Sequence, residues 1–380
     1  MASLVTQVQS GLKARVAPIP VDDCTGGVYY LRSKNRRLTA VFKPADEEAY
    51  APNNPKHYHA RGQSTSRSGM RQGIAAGDSA VREVIAFLLD RQHFAKVPAT
   101  MLASAFHPDF HYQPSEIPHR KVGALQAYVP HKDTADDVGS NLFSVADVHA
   151  IAMLDIRLAN QDRHGGNILV VEQSPSTIKQ SSGKQFALVP IDHGACLPRV
   201  SALSETSFLW LLWSQAKQPF SAAALEYIAA LDASRDLKLL ETNLPKGYEL
   251  EREAVLTLHV CTALLQFCTL ERHMTAHDIG LLMCRQGTCH QQELKPSALE
   301  TLVASSLQDP AVFKSEALLK VQEKQQQQHQ HSKLQLSPTA STSTNTPVKT
   351  VNPHEKAWDS YVTTFMTVFR RELASHFAVK

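Results

Sequence analysis

The chain has 380 residues, 43% of them hydrophobic and 20% charged, with a formal net charge of +3; this suits a globular protein with one large core or two modest ones and is too weakly basic to predict nucleic-acid binding. Uninterrupted apolar runs such as LWLLW at 209–213 fall far short of the ~18–20 residues of a membrane span, and the N-terminal stretch lacks the basic start and long apolar run of a secretory leader. Six cysteines, at 24, 196, 261, 268, 284 and 289, are too scattered for a disulfide framework and lack the second pair a zinc site needs, so a reducing, cytoplasmic setting is expected.

In chain order, GVYYL (27–31) and LTAVFK (38–43) predict a β-hairpin with Lys43 at the end of its second strand. The basic RSKNRR between them reads as a hairpin tip facing solvent, or else a ligand or membrane. Residues 44–77 form a loop rich in Asn, Pro, Gly, Ser and Arg, long enough to require a functional or disordered insertion. In DSAVREVIAFLLDRQ, Val81, Val84, Ile85, Leu88 and Leu89 recur at helical spacing behind a cap at Asp78 or Ser79, which places Glu83 on the polar side. Strands follow over 97–102 and 121–130. SVADVHAIAMLDIRLAN is a helix opened by a capping box of Ser144 and Asp147. It runs into DRHGGN and the strand NILVV, and a polar turn region, VEQSPSTIKQSSGK, leads to a second strand, FALVPID, at 186–192.

From 203 to 305 the pattern is helical, with a second capping box at Thr275 and Asp278. Residues 322–350 are low in complexity and read as a linker. After it, Trp358, Tyr361, Phe365, Phe369, Leu373 and Phe377 share one helical face over 351–380. That helix either returns to dock on the helical lobe or, with Arg370 and Arg371 flanking its apolar face, serves a membrane or a partner.

Metal-assisted phosphoryl transfer needs a cation on the phosphates, oxygen donors on magnesium and a group that orients the attacking hydroxyl. Asp162 and Asn167 lie five apart in a loop, and Asp192 ends the next strand. Asn167 and Asp192 can both offer oxygen to Mg²⁺, a hard ion. Asp162 then stands near the acceptor hydroxyl, Lys43 supplies the cation, and Glu83 is the partner a desolvated lysine requires.

VFKP, REVIAFLLD, LDIRLANQDRHGGNILV and LVPIDHGACLP resemble the catalytic core of the phosphatidylinositol 3- and 4-kinase superfamily, in particular the plant-type phosphatidylinositol 4-kinase gamma group, which is related to the type II enzymes. The resemblance covers roughly residues 20–305. It implies an α+β, two-lobed, protein-kinase-like fold, with a small lobe over 20–130 and a mainly helical large lobe over 131–320. ATP and Mg²⁺ are the implied cofactors, with Asp162 in the catalytic loop, Asn167 and Asp192 on the metal, and Lys43 on the nucleotide. The nucleotide loop is CTGGVY, with Gly26 and Gly27; Gln126, Ala127, Tyr128 and Val129 fall near the adenine, by chain order as much as by resemblance.

Within the motif, His164 is either catalytic or a lock for the loop, Arg163 is expected to pair with an acid, and His193 to be structural. Gly165 and Gly166 permit a tight turn, Gly194 the turn after Asp192, and Trp210 and Trp213 are core residues. The acceptor implied is phosphatidylinositol at its 4-position, or a serine or threonine of a protein; a catalytically inactive scaffold and a nucleotidyl transferase are the alternatives of other kinds. The chain departs from the pattern in lacking the G-x-G-x-x-G loop of protein kinases, the cysteine-rich lipid-modified stretch of animal type II enzymes and ubiquitin-like repeats. Transient, peripheral membrane contact is therefore expected rather than stable residence.

Overall fold

The computed structural model describes residues 1–58, 69–173, 186–286, 294–335 and 353–378. The polar turn expected at 171–184 falls almost wholly outside them. The described chain forms two compact units, 1–297 and 298–380.

The first unit opens with helix α1 (Ala2–Lys13) and a five-stranded antiparallel sheet of order β1-β2-β3-β5-β4, with β1 at Ile19–Pro20, β2 at Tyr29–Arg32, β3 at Leu38–Pro44, β4 at Thr100–Ala105 and β5 at Lys121–Ala127. Period-two alternation decides what each strand shows to each side. Tyr29, Leu31, Ala40 and Phe42 turn one way and pack with Phe110, Leu125 and Val8 of α1. Lys43, between Phe42 and Pro44, must face the other way. The β2–β3 connection carries the basic tip, with Lys34, Arg36 and Arg37 exposed.

Helix α2 (Ser79–Leu89) packs on β4 and β5. Its apolar side, through Ile85 and Leu89, shares a core with Leu154, Leu158, Leu197 and Leu258. That second contact changes the expectation for its polar side: Arg82 and Glu83 are both buried, because α2 is enclosed between the sheet and the large lobe. Neither Asp78 nor Ser79 caps it with a side chain. The carboxylate of Glu48 does so instead, accepting from Gly77 N, Ser79 N and Ala80 N at 2.8, 3.1 and 2.8 Å, the last two being otherwise orphaned donors of the first helical turn.

The large lobe begins with β6 (Asp133–Thr134) and α3 (Val145–Leu158), and β6 pairs with β7 (Ile168–Glu172), which pairs antiparallel with β8 (Phe186–Pro190). Ser144 caps α3 by accepting from Asp147 N at 3.0 Å. The box is not reciprocal, because the Asp147 carboxylate is taken by Lys96 Nζ and Leu188 N, an ion pair and a strand donor that outcompete a local backbone contact. Helices α4 (Ala222–Ala229), α5 (Ala233–Asn243), α6 (Arg252–Gln266) and α7 (Ala276–Met283) complete it, and the Thr275–Asp278 capping box is present. Residues Arg252–Glu271 contain a window apolar enough for a membrane span, with mean hydropathy 1.5, but 72% of that window is buried inside the fold, so its hydrophobicity is spent on the core.

The second unit comprises α8 (Ala298–Gln308), α9 (Pro310–Gln335) and α10 (Pro353–Ala378). The boundary falls at residue 297 rather than near 320, since the apolar stripe of α8 is covered by α9 and α10. Helix α9 also continues into the low-complexity segment expected to be linker. On α10, Tyr361, Phe365, Phe369 and Leu373 are buried, and Arg371 pairs with Asp309 at 2.9 Å.

Candidate active site

The loop between α3 and β7 is held from below by one buried acid. Asp155, on α3, accepts from Arg163 Nε at 3.1 and 2.9 Å through its two oxygens, from Asn160 Nδ2 at 2.9 Å and from Trp210 Nε1 at 3.0 Å. Arg163 also donates from Nη1 to the carbonyls of Asn167 and Ile191 at 2.6 and 2.9 Å. A single guanidinium thus ties the loop to the chain entering Asp192. The expected acid partner of Arg163 is therefore Asp155, and Trp210 is more than core, since its indole N–H is spent on the same carboxylate.

This anchoring leaves Asp162 a third exposed, with its backbone N–H on Asn160 Oδ1 at 2.9 Å. Asn167 donates from Nδ2 to Asp162 O at 2.9 Å, which leaves the amide oxygen as the end that can meet a cation. His164 is exposed, and its main chain closes the turn by donating to Asp162 O and accepting from Asn167 N, both at 3.1 Å. At Gly165 an added Cβ would lie 2.1 Å from Asp136 Oδ1, so the absence of a side chain is required there. Asp192 itself adopts the left-handed conformation, with φ 54°. The tight step after β8 is thus made at the acid rather than at Gly194, a strained position for a side-chain-bearing residue of the kind that persists where surroundings over-determine it.

Opposite the loop, Lys43 forms an ion pair with Glu83 and lies 3.2 Å from Asp192 Oδ1. Burial works against its charge, but Asp192 and Glu83 more than offset it and hold the lysine protonated above its ordinary range. The same lysine draws the Asp192 carboxyl below its usual range. The second oxygen of Glu83 accepts from His193 N at 3.1 Å. His193 is fully buried, and burial pushes its ring well below the ordinary histidine range, so it stays neutral.

The nucleotide loop is fastened from behind. Asn54, 1% exposed, donates from Nδ2 to the carbonyls of Thr25, Glu47 and Glu48 at 2.9, 3.0 and 3.1 Å, and Gly27 N donates to Glu47 O at 2.9 Å. Asn54 and Glu48 thereby join this loop to the start of α2 and so to Glu83. Neither residue stood out in the sequence, since each acts on backbone far along the chain.

One cavity is lined by Gly26, Gly27, Lys43, Glu83, Asp162, His164, Asn167 and Asp192 together. Gln126, Ala127, Tyr128 and Val129 end or follow β5 and are not among its lining residues; Gln126 is buried and donates to Thr100 Oγ1 at 3.0 Å. A separate cavity of about 520 Å³, lined by residues including Gly73, Arg82, Arg199 and Tyr248, holds none of the eight. As donors, Asn167 and Asp192 offer one amide oxygen and one carboxylate, which suits Mg²⁺ because that ion keeps waters and takes phosphate oxygens alongside one or two protein ligands.

Residues 25–278 match the model of the phosphatidylinositol 3- and 4-kinase family. The chain belongs to that family. It is 38% identical over 296 residues to phosphatidylinositol 4-kinase gamma 4 of Arabidopsis thaliana, covering 74% of this chain and 49% of the relative, and 38% identical over 306 residues to gamma 6 of the same plant, covering 78% and 47%. Phosphatidylinositol 4-kinase gamma 4 of Oryza sativa subsp. japonica is 37% identical over 297 residues, covering 75% and 48%. The chain spans about half the length of the curated relatives it matches. Among solved structures, the Helicobacter pylori proinflammatory kinase CtkA is 11% identical and covers 69% of this chain and 92% of its own, at a TM-score of 0.31, a likeness too remote to bear on the site. The mixed α/β architecture described above is that of the family's catalytic fold.

Proposed function

We propose that this protein is an ATP- and Mg²⁺-dependent kinase that phosphorylates phosphatidylinositol at the 4-position of the inositol ring. The observation that carries the reading is Lys43 set between Glu83 and Asp192, on the wall of a cavity whose floor holds Asp162 and Asn167. The acceptor class follows from the relatives, which are phosphatidylinositol 4-kinases by name.

In this reading Lys43 binds the α- and β-phosphates and Glu83 keeps it aimed. The turn at Gly26 and Gly27, with the Gly27 N–H held by Glu47 O, lets the backbone of this loop lie close over the phosphates, and the adenine lies toward 126–129. Asn167 and Asp192 hold Mg²⁺, which when bound spreads the charge of the transferring phosphoryl group. Asp162 accepts the hydrogen bond of the acceptor hydroxyl and orients its oxygen for in-line attack, taking the proton as the new bond forms. His164 stands at the rim of the same cavity and assists in placing the acceptor. A lipid acceptor also requires peripheral contact with a membrane surface from the cytoplasmic side.

The test is product identification. The full chain with labelled ATP and Mg²⁺ is offered phosphatidylinositol vesicles and, separately, a generic protein substrate. Label in phosphatidylinositol 4-phosphate is the expected result; label in protein alone would replace the lipid acceptor with a protein serine or threonine, and no transfer to either would overturn the kinase reading.

A further inference from the structure

The acceptor side of the cavity is crossed by a strap, residues 69–77. At its end the strap belongs to the small lobe, where Gly77 N donates to Glu48. In its middle it is seated on the large lobe: Arg199 N donates to Gly73 O at 3.0 Å, Gln72 N to Glu205 Oε2 at 3.3 Å, and Ser204 Oγ to Gln72 Oε1 at 3.2 Å. The fit is close enough to require glycine at 73. That residue has φ 75°, and an added Cβ would lie 2.7 Å from Ala202 Cβ and 2.8 Å from Arg199 N.

The seating delivers the guanidinium of Arg71 onto the carboxylate of Asp162, and to within 3.9 Å of Glu205 Oε2. Arg71 and Asp162 are 32% and 34% exposed, so the pair faces the cavity rather than the core. Lys43 and Arg71 are the lysine and arginine among the described residues that line it, and Lys43 is committed to Glu83 and Asp192. Two consequences follow. While Arg71 holds Asp162 Oδ1, that oxygen is taken from the acceptor hydroxyl and the carboxylate is turned toward the strap. And an anionic headgroup that approaches Asp162 and Glu205 meets like charge unless a cation intervenes.

A guanidinium can resolve both, because its planar fork binds a phosphate diester as well as it binds a carboxylate, and a solvent-facing pair is weakly held. We propose that Arg71 is an acceptor-recognition residue that exchanges Asp162 for the phosphodiester of phosphatidylinositol. The lipid headgroup thereby frees the acid that its own hydroxyl needs. The inference rests on the lipid-kinase reading above and adds the residue that selects an anionic acceptor.

Steady-state rates of the full chain on mixed phosphatidylinositol and phosphatidylcholine vesicles, with lipid and Mg²⁺-ATP varied separately, test it in the wild type, Arg71→Ala and Arg71→Lys. The expected result is a KM for phosphatidylinositol raised at least about tenfold in Arg71→Ala, partly restored in Arg71→Lys, with the KM for ATP unchanged within twofold. Arg71→Lys keeps the positive charge and bears on the inference should Arg71→Ala fold poorly. An unchanged or lowered KM for the lipid would overturn the role, the lowered value marking Arg71 as a mere obstruction. A matching rise in the KM for ATP would reassign the guanidinium to the nucleotide phosphates and overturn it as well. A wild type that labels no lipid removes the lipid reading and this inference together, whereas a wild type that labels lipid beside variants with unchanged lipid KM removes this inference alone.

Discussion

The catalytic loop and the wall facing it deliver charges to one cavity over very different chain distances. In the loop, Asn167 reaches Asp162 O five residues back and Arg163 reaches Asp155 eight residues back, with more distant ties through Arg163 to Ile191 O and through Asp155 to Trp210. On the wall, Lys43 finds Glu83 forty residues ahead, Glu48 caps a helix about thirty residues ahead, and Asn54 holds Thr25 twenty-nine residues behind. A local arrangement survives small disturbances of the packing around it, while a wall assembled from distant pieces exists only when the sheet and α2 are already in place. Substitutions that act on chemistry alone, on the anchor of the loop and on the wall should therefore separate by what they damage.

The largest effect belongs to Asp162→Asn. The turnover should fall by ~10²–10⁴, roughly 3–5 kcal/mol in the barrier, with Mg²⁺-ATP binding and melting temperature close to wild type. Asp192→Asn should instead shift the Mg²⁺ dependence of the rate, because it weakens a hard-ion ligand. Titration calorimetry of Mg²⁺-ATP into both variants separates the two roles, and loss of nucleotide binding in Asp162→Asn would collapse the distinction.

Next comes the anchor. Asp155→Leu strands the buried guanidinium of Arg163, so denaturant unfolding should show a loss of about 3–5 kcal/mol, although Asp155 is not among the cavity-lining residues. Asn54→Ala is milder. It removes a donor from the carbonyls of Thr25, Glu47 and Glu48, of which the last two keep Gly27 N and Ala51 N, so the loss should be about 0.5–1.5 kcal/mol; it also loosens the nucleotide loop, so the KM for ATP should rise while turnover at saturating ATP changes little. Equal effects of Asn54→Ala on both kinetic parameters would contradict a wall that acts through nucleotide placement.

The last effect is in pH, and its sign differs between a histidine on the large-lobe helix α3 and an acid of the wall. His149, buried on α3 against Phe220 with its Nε2 on Gln215 O at 2.9 Å, is held below the ordinary histidine range by burial. The unfolded chain binds that proton first as pH drops, so its stability contribution is present above about 6.5 and is lost below it, by at most about 1.4 kcal/mol per pH unit. Glu48 behaves oppositely. Burial pushes its carboxyl up to about 7 against the pull of three backbone N–H groups, so the protonated form favoured by the fold is lost as pH rises between about 4.5 and 7. Melting curves across pH 5–8 should steepen at the acid end for wild type but not for His149→Gln, and flatten near neutrality in Glu48→Gln; coincident profiles for all three proteins would refute both assignments.

The sequence by itself determined the elements whose cause lies within a few residues. Period-two alternation around Phe42 put Lys43 on the cleft face of its strand, helical spacing located α2 and α3, and DRHGGN before a strand marked a loop presenting an acid and an amide together. The strands at NILVV and FALVP were legible for the same reason, and their antiparallel register came from the structure. The tertiary structure decided everything that depends on a partner from elsewhere. Glu83 read as the partner of Lys43 on the polar side of its helix, and what the structure adds is that this whole side, Arg82 included, is buried, because the large lobe covers the side that the sheet leaves open. Asp147 looked like half of a capping box and is claimed by Lys96 and Leu188 N. Trp210 looked like core and spends its N–H on Asp155, and the apolar stripe of α8, assigned to the large lobe, is covered by α9 and α10. Asn54, Glu48 and Arg71 lie in a stretch with no periodicity at all. A periodic pattern records which side of an element is buried, but an aperiodic loop takes its conformation from whichever distant backbone and side-chain groups satisfy it once the rest of the chain has packed.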